Sequence, residues 1–485
     1  LSRGAAHLIE TFGSEELKAT YCEKMYSGAW TGTMCLTEAG AGSDLGEIKT
    51  KAEKQPDGSY RITGEKIFIT SGEHDLTPNI IHAVLARVAG APAGPKGLSL
   101  FVVPKVRVNA DGSLGASNDV LCAGIEHKLG IHGSPTCSLV FGSSSGSQGF
   151  LLGAEGQGLP LMFQMMNAAR YEVGVQGLAI AAAAHKAALA YARERLQGKL
   201  FSNKAAGAGP APIVQHPDVR RSLLMQSAYL QAMRALASYT GWCMDMAHAS
   251  QGEARDHWQG FVELFTPICK AWCSDWGFRI TEWALQTYGG YGYTMEYPAE
   301  QYLRDAKIAS IYEGTNGIQA LDLVGRKFRM QDGRPLKQLF ALAAETVASL
   351  GNDPLLGASA KQLGSALKTT GEVLRDLPTR PDGMLLSTLN AVPILDMLGH
   401  VFGGLFLLQQ ARVASGKLEA LLAERGVAAG DAAARTALFE ASPEAAFYQN
   451  KVQAALTFAH RALPQVQALA VAIQAGDVSP MEAVL

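Results

Sequence analysis

Residues Lys49–Thr70 read KTKAEKQPDGSYRITGEKIFIT, and here the pattern of the chain changes from helical to β. Alternating residues in this segment predict three short strands, at Lys49–Lys54, Tyr60–Thr63 and Lys66–Thr70. Pro56–Gly58 has the composition of a turn, and Gly64–Glu65 predicts a second turn. The segment therefore indicates the short, turn-connected strands of a small β domain.

On either side of this segment the β pattern continues and then gives way to helices. Further strands are predicted at Ile80–Val88, Leu98–Val103 and Thr136–Phe141. Ser2–Met25 has the pattern of one helix, and long helical patterns follow Gly158. They cover Leu161–Arg195, Val219–Ala249, Arg255–Tyr288 and Ala299–Phe328. We expect an α+β protein with four parts, at 1–28 (helix), 29–150 (a β-barrel or sandwich-like domain), 155–328 (an up-and-down helical bundle) and 335–485 (an additional helical extension).

Composition excludes several classes of function. The 485 residues include 42 basic and 44 acidic side chains, for a formal charge of −2, and no basic run is present. Such a chain has no strong field for nucleic acid or anionic membranes. The sequence has no uninterrupted apolar span of about 20 residues, so we expect no membrane span. Seven scattered cysteines and no visible targeting segment favour a reducing, cytoplasmic compartment, and their spacing predicts no metal site.

The first segment with chemical potential is Met34–Ser43, a glycine-rich loop after a predicted strand. Backbone N–H groups beside glycine can approach a pyrophosphate, and Thr37 and Ser43 can add hydroxyl donors. Many Gly/Ala/Ser loops look alike, so an ordinary surface loop remains the alternative. The G-x-G-x-x-G pattern is absent, which argues against a Rossmann nucleotide site.

The strand Lys66–Thr70 offers a second candidate surface. Phe68 and Thr70 are two residues apart, so they share one face of a regular strand. An aromatic ring and a hydroxyl on one face suit a flat, hydrogen-bonding ligand. An edge strand with ordinary alternation is the competing interpretation.

The third candidate is Glu313, in the segment Ala309–Ile318, ASIYEGTNGI. One carboxylate stands in an apolar run directly before Gly314 and close to Gly317. Burial raises the pKa of a carboxylate, which makes it a better base near neutral pH. The alternative is a solvated glutamate on the surface of a helix.

Together these segments resemble the acyl-CoA dehydrogenase family. Four motifs carry the resemblance in chain order: MCLTEAGAGSDLGEIKTKA, ITGEKIFITSG, MMNAARYEVGVQGLA and YGGYGYTMEYPAEQYLRDAKIASIYEGTNGIQ. The resemblance covers about residues 1–326. Within the family, EHKLGIHGSPT and the C-terminal helical extension look like the 3-methylthiopropanoyl-CoA dehydrogenase branch. Family members begin with a helical domain of roughly a hundred residues, of which 1–28 would be the last helix, so that most of that domain is missing from this sequence.

The resemblance implies FAD as cofactor and assigns residues to it. Contacts from the β domain would come from Met34, Leu36, Thr37, Gly42, Ser43, Phe68, Ile69 and Thr70. The FAD of a neighbouring subunit would be held by Arg195, Gln286, Gly289 and Gly290, which implies a homodimer or homotetramer. Thr315 and Gly317 would contact the FAD phosphates and ribose.

The resemblance also implies the reaction, α,β-dehydrogenation of an acyl-CoA to the 2-enoyl-CoA. Glu313 matches the base that takes the α proton, and hydride passes to flavin N5. Ser43, Asn167, Arg170 and Gly314 would bind the substrate, a short or 3-methylthiopropanoyl-type acyl-CoA. Some relatives carry the base on the long helix instead, at the residue before Arg170, but here that residue is Ala169. An electron-transfer flavoprotein would accept the electrons.

Three alternatives stay open on sequence grounds. An acyl-CoA oxidase differs in letting oxygen reach the reduced flavin. A DNA-associated flavoprotein of alkylation response would need a basic surface, which the charge balance argues against. A non-catalytic scaffold would bind no FAD.

Overall fold

A computed structural model describes residues 1–202, 209–428 and 430–484. The chain forms two compact units, 1–170 and 171–485. The predicted α+β class is confirmed, because a β domain precedes helices that fill the remainder of the described chain. The four-part division of the chain stays a prediction.

The first unit consists of two short helices, a β domain and the start of a long helix. Its elements are α1 (Ser2–Phe12), α2 (Glu15–Tyr26), β1 (Thr31–Cys35), β2 (Lys51–Lys54), β3 (Tyr60–Thr70), β4 (Ile80–Val88), β5 (Leu98–Pro104), β6 (Val106–Val108), β7 (Leu114–Ser117), β8 (Val120–Ile125), β9 (Thr136–Phe141), β10 (Ser147–Leu152) and α3 (Gly158–Glu194). Helix α3 continues into the second unit.

The strands close on themselves. The main sheet has the order β1-β4-β5-β10-β3-β9-β8, and β2 pairs with both β3 and β4. Strands β2, β3, β10, β5 and β4 therefore form a ring of pairings, which removes free edges from this part of the sheet. Its interior is apolar, with Tyr60, Ile62, Val84 and Phe101 among the buried side chains. The barrel-like β domain anticipated from the sequence is present.

Two predicted boundaries in this unit are wrong. The turn at Gly64–Glu65 does not form, because β3 runs unbroken through it. Gly64 has φ of +153°, and a Cβ there would lie 2.8 Å from the Cα of Thr50. The glycine thus allows close strand approach within the sheet rather than a chain reversal.

The single helix predicted over Ser2–Met25 is also wrong. The backbone of Gly13 is extended, and the Ser14 hydroxyl accepts a hydrogen bond from the N–H of Leu17 at 3.3 Å. Ser14 therefore caps a second helix, with acidic residues in its first turn. Gly-Ser followed by acids is a helix stop and start that the apolar periodicity concealed.

The second unit is helical. Its elements after α3 are α4 (Pro217–Ala249), α5 (Gly252–Tyr288), α6 (Ala299–Lys307), α7 (Asn316–Gly325), α8 (Arg334–Leu350), α9 (Gly357–Asp376), α10 (Gly383–Leu389), α11 (Ala391–Glu424), α12 (Ala432–Ala441), α13 (Pro443–Arg461), α14 (Pro464–Gln474) and α15 (Ser479–Glu482). Helix α11 packs against α4, α5 and α7. The extension and the bundle consequently share one core.

Aromatic side chains join the bundle to the extension in that core. Tyr229 of α4 meets Phe458 of α13 edge to face, with ring centroids 5.2 Å apart. Phe265 of α5 meets Phe402 of α11 in the same way at 5.4 Å. Such pairs stabilise a core beyond the burial of their area. The extension is therefore part of the hydrophobic interior of the second unit.

Helices α3 and α11 bear on the expectation that no helix of the chain spans a membrane. Among the described residues, α3 and α11 are long and apolar enough to cross a membrane by length and composition. In α11, however, 83% of the most apolar window is buried inside the protein. A helix that is apolar all round and covered by protein is a core helix, and we assign α11 to that class.

Glycine at 399 leaves room in α11 for the indole ring of Trp272 on α5, and this yields a prediction. A Cβ at Gly399 would overlap the indole ring of the buried Trp272. Gly399→Ala should therefore lower the free energy of unfolding by about 1–3 kcal/mol through overpacking. Chemical denaturation followed by circular dichroism measures this.

Gly416→Ala in the same helix is the matched control. It is exposed, and among the described residues a Cβ there would meet no atom within 4 Å apart from its chain neighbours and the adjacent backbone of its own helix. Alanine should stabilise this position by about 0.5–1 kcal/mol, because it is the better helix former. Equal effects at the two positions would contradict the packing account.

Candidate functional site

The glycine-rich loop after β1 is tightly folded. The N–H of Glu38 donates to the carbonyl of Ala41 at 3.1 Å, and the N–H of Ala41 donates back at 3.0 Å. Gly42 and Ser43 are exposed beyond this turn, whereas the side chain of Leu36 is buried and Met34 and Thr37 are partly buried. The loop thus presents backbone and hydroxyl groups, and Leu36 can offer only its backbone to a ligand.

An ion pair between Lys66 of β3 and Glu38 of the loop holds the loop against the strand. The fully buried Lys66 donates to Glu38 Oε1 and to the carbonyl of Leu36, both at 2.9 Å. Glu38 also accepts from the N–H groups of Lys49 and Thr50 and from the Thr50 hydroxyl. Burial opposes ionisation of Glu38, but Lys66 and these hydrogen bonds outweigh it and lower its pKa. The carboxylate is charged and tied to four groups.

Strand β3 is not regular at the predicted ligand face. Between Lys66, opposite Leu139, and Ile69, opposite Cys137, β3 has one residue more than β9, which is a β-bulge. Phe68 lies in the bulge with φ of 59° and is 58% exposed. The premise that Phe68 and Thr70 lie on one face of a regular strand is therefore wrong.

The bulge brings the strand to the loop. The N–H of Ile67 donates to the carbonyl of Thr37 at 3.0 Å, so Thr37 and the exposed Phe68 ring belong to one local surface. The side chain of Ile69 is buried in the barrel core, and only its backbone is available there. A non-glycine residue with left-handed backbone and an exposed aromatic side chain is a feature that clusters at ligand sites.

Asn167 and Arg170 lie one turn apart in α3. Arg170 Nη1 is 3.4 Å from Asn167 Oδ1, and its guanidinium lies 5.5 Å from the centroid of the Phe163 ring. Arg170 is buried. The two side chains therefore form a pre-oriented polar group that could recognise an anionic or amide-bearing ligand.

In the second unit, Glu313 lies on a break between two helices. The helix predicted over Ala299–Phe328 is wrong, because α6 ends at Lys307 and α7 begins at Asn316. Glu313 and Gly314 have φ of 57° and 79°. Left-handed backbone costs a glutamate roughly 1–2 kcal/mol, so surrounding contacts must hold it.

Those contacts come from the start of α7 and from α3. The side-chain amide of Gln319 donates to the carbonyls of Glu313 and Gly314, at 3.2 and 3.3 Å. The Thr315 hydroxyl caps α7 by accepting from the N–H of Ile318 at 3.2 Å. The Tyr312 hydroxyl donates to Gln176. One oxygen of the Glu313 carboxylate, Oε2, is buried, and Gly317 lies in the first turn of α7.

The remaining predicted residues lie around the end of α5. The Arg195 guanidinium is 5.6 Å from the centroid of the Tyr291 ring. Gly289 ends α5 with φ of 62°, and its N–H donates to the carbonyl of Gln286. Gln286 lines a groove of about 490 Å³ together with Asp218, Arg221, Ser222 and Trp283. The polar side chains in its mixed lining suit a ligand with hydrogen-bonding groups.

Several residues that shape these sites were not predicted from the sequence. Lys66 is fully buried beneath the glycine-rich loop, and it was assigned no role from the sequence. Lys270 is fully buried and hydrogen-bonds to Asn316 at 2.7 Å. A lone lysine within the apolar run Leu264–Cys273 was a usable signal for it, because a buried lysine needs a partner. Among the described residues, no group of three or more His, Cys, Asp or Glu side chains is arranged to hold a metal.

Three family models match the chain in order. They are "Acyl-CoA dehydrogenase, middle domain" over residues 33–144, "Acyl-CoA dehydrogenase, C-terminal domain" over 156–327, and "Acetyl-CoA dehydrogenase C-terminal like" over 339–483. The chain is 40% identical to the 3-methylmercaptopropionyl-CoA dehydrogenase of Ruegeria pomeroyi, covering 92% of this chain and 76% of that protein. It is 38% identical to a butyryl-CoA dehydrogenase of Syntrophomonas wolfei, covering 99% and 77%.

Solved structures show the same fold. An acyl-CoA dehydrogenase from Bacillus anthracis, solved in complex with FAD, has a TM-score of 0.74 at 22% identity, covering 96% of this chain and 73% of that one. The butyryl-CoA dehydrogenase of Megasphaera elsdenii has a TM-score of 0.54 at 29% identity, covering 67% and 75%.

Proposed function

The chain belongs to the acyl-CoA dehydrogenase family, and from this premise we propose that it uses FAD to convert a short acyl-CoA to the 2-enoyl-CoA with Glu313 as the base. It is an oxidoreductase that acts on CH–CH donors. The observation that carries the assignment of the base is the strained, clamped backbone at Glu313 with a buried carboxylate oxygen. Strain that surrounding contacts maintain marks functional positions.

Two glycines that neither packing nor backbone conformation within the chain requires support the fit to FAD. Among the described residues, a Cβ added at Gly42 or Gly290 would meet no atom within 4 Å beyond the adjacent part of its own chain, and neither residue has a left-handed φ. Packing within the chain therefore gives no reason for glycine at these positions. Close approach of a bound ligand does, and FAD offers a pyrophosphate suited to backbone N–H groups and the Ser43 hydroxyl.

The assignment of roles follows the local geometry. Met34, Leu36, Thr37, Gly42, Ser43, Phe68, Ile69 and Thr70 would hold one part of FAD, and Thr315 and Gly317 another. The exposed Phe68 ring would stack on the flat ring system, and Thr70 would donate to its edge. The bound flavin supplies an acceptor for the hydride that leaves the β carbon.

The chain's own chemistry is proton transfer. Glu313 would accept the α proton, and its backbone N–H would donate to the thioester carbonyl oxygen as enolate charge develops. Gly314 would let the backbone approach the thioester. The partly buried position of the Glu313 side chain limits the access of water to the base.

The substrate is proposed to be a short acyl-CoA, such as butyryl-CoA or 3-methylthiopropanoyl-CoA. The similarity to the two dehydrogenases above supports this class, since they cover more than nine tenths of the chain. Ser43, Asn167, Arg170 and Gly314 would bind it. The Arg170 side chain, oriented by Asn167 and Phe163, is suited to the CoA moiety.

Assembly, electron acceptor and compartment complete the proposal. Arg195, Gln286, Gly289 and Gly290 would contact the FAD of a second copy, so we propose a homodimer or homotetramer. A solved structure described as an electron transferring flavoprotein of Acidaminococcus fermentans is similar to this chain, at 28% identity and a TM-score of 0.55, covering 68% of this chain and 77% of that one. We propose an electron-transfer flavoprotein as acceptor. Seven free cysteines support a reducing, cytoplasmic compartment.

One experiment on the purified chain tests the function. The visible spectrum should show bound flavin, and butyryl-CoA or 3-methylthiopropanoyl-CoA added without oxygen should bleach it. Sedimentation followed at the flavin band should show an oligomer. A colourless protein, or a flavin that neither acyl-CoA bleaches, would exclude the proposal. Rapid oxygen uptake with substrate would instead indicate an oxidase.

A further inference from the structure

Asn316, the first residue of α7, is enclosed by side chains of one segment of α5. Its Oδ1 accepts a hydrogen bond from Lys270 Nζ at 2.7 Å. Its Nδ2 donates to Asp275 Oδ1 at 2.7 Å, to Ser274 Oγ at 2.9 Å and to the carbonyl of Ala271 at 3.2 Å. The amide oxygen therefore faces a cation and the amide nitrogen faces an anion, and an amide side chain satisfies both because it carries an acceptor and a donor.

Of the two charged side chains that Asn316 bridges, one is buried completely and the other, Asp275, in part. Lys270 is fully buried, and burial raises the pKa of Asp275, although Asn316, Lys270 and Lys307 act to lower it. Asp396 of α11 adds a further negative charge that acts on Asp275. A buried charge that loses its partner is expensive, so this arrangement fixes where α7 can begin.

Asn316 is three residues from Glu313, and the intervening chain has little freedom. Thr315 caps α7, and Gln319 of the same helix binds the carbonyls of Glu313 and Gly314. The place where α7 begins thereby sets the left-handed backbone at Glu313. If α7 shifts, the carboxylate shifts with it.

We infer that Asn316, held between Lys270 and Asp275, is a positioning residue that fixes the place and orientation of the Glu313 carboxylate. The inference rests on the proposed function of Glu313 as the base. Asn316 itself is assigned no contact with flavin or acyl-CoA. Its effect is on the step in which the proton moves, because misplacement of a reacting group by about 1 Å can cost about 10²-fold in rate.

An exchange of the two residues tests the inference. Asn316→Asp places two carboxylates together, and Asp275→Asn removes the negative charge that the Asn316 amide nitrogen faces. Each single variant should be bleached by saturating butyryl-CoA about 10–10²-fold more slowly, with flavin content and half-saturating concentration unchanged. The double variant Asn316→Asp/Asp275→Asn restores one carboxylate, one amide and the contact to Lys270. It should recover most of the rate.

A second readout does not depend on activity. Hydrogen exchange of a peptide covering 308–319, measured without acyl-CoA, should be faster in each single variant and return toward the original rate in the double variant. Asn450→Asp, the same chemical change on the exposed face of α13, is the matched control and should alter neither readout.

The possible outcomes separate the two hypotheses. Full bleaching rates and unchanged exchange in both single variants overturn the positioning role, whatever Glu313 does. Slow single variants without recovery in the double variant also overturn it, because general destabilisation would suffice. If Asn316→Asp does not fold, the test rests on Asp275→Asn alone. A bleaching rate in that variant equal to that of the unmodified chain refutes the inference. An unmodified rate in Glu313→Gln would instead refute the proposed base and leave the exchange results to be judged by themselves.

Discussion

Glu313→Gln should give a protein that keeps its flavin but is bleached by acyl-CoA about 10²–10⁴-fold more slowly, the usual cost of losing a general base. Glutamine has nearly the same size and hydrogen-bonding groups but cannot accept a proton at neutral pH. The proposed flavin contacts come from other residues, so binding should survive. The measurement is anaerobic stopped-flow bleaching at saturating butyryl-CoA.

Glu345→Gln is the matched control for this prediction. Glu345 is exposed on α8, so the same loss of charge there should leave the bleaching rate unchanged. A normal rate in Glu313→Gln would show that another group takes the proton. Loss of flavin from that variant would show a structural role for the carboxylate.

The fold was largely predictable because its signals are local. Predicted ranges covered five of the ten strands in the described residues, namely β2, β3, β4, β5 and β9, and 3.6-residue periodicity located the long helices. The failures have physical causes in tertiary structure. Gly64 was predicted to form a turn, but glycine is needed there because the backbone of Thr50 leaves no room for a Cβ.

The site was predictable as residue types but not as geometry. Resemblance to a family supplied Glu313 and Phe68, and the assigned roles of both residues stay predictions. The left-handed backbone at both positions could not be predicted, because no sequence pattern indicates that a residue other than glycine has positive φ. The supporting pairs, Lys66 with Glu38 and Lys270 with Asn316, join residues 28 and 46 positions apart. No local pattern reports a contact at that separation.

The second prediction with a large effect concerns the ion pair between Lys66 and Glu38, and the effect is on the free energy of unfolding. Lys66→Met removes the cation but leaves Glu38 tied to the loop, so a carboxylate whose side chain is only 10% exposed loses its charge partner. Breaking such a pair from one side costs about 3–5 kcal/mol. We expect that loss in the free energy of unfolding, together with weaker flavin binding, because the glycine-rich loop loses the contact between Lys66 and the Leu36 carbonyl. Denaturant titration and flavin content measure the two effects.

Two further variants separate charge pairing from simple truncation. Lys66→Met/Glu38→Gln leaves no unpaired charge and should be clearly more stable than Lys66→Met alone, since replacing both partners of a buried pair is far less costly than removing one. Lys54→Met, the same change on the exposed part of β2, should have almost no effect. If the double variant is as unstable as the single one, packing of the lysine stem is the true cause.

The pH dependence of stability gives an independent test of whether the charge pair between Lys66 and Glu38 stabilises the folded protein. The pKa of Glu38 is lower in the folded protein than its usual value of about 4.3. Its contribution to stability is therefore complete above that usual value and is lost as the pH falls through the folded-state pKa. Below it, Glu38 is neutral and Lys66 has no anion to bind. The gap in stability between the unmodified chain and Lys66→Met should be widest near neutral pH and should shrink on acidification. A gap that stays constant down to pH values well below about 4 would mean that the pairing of charges contributes nothing to the loop.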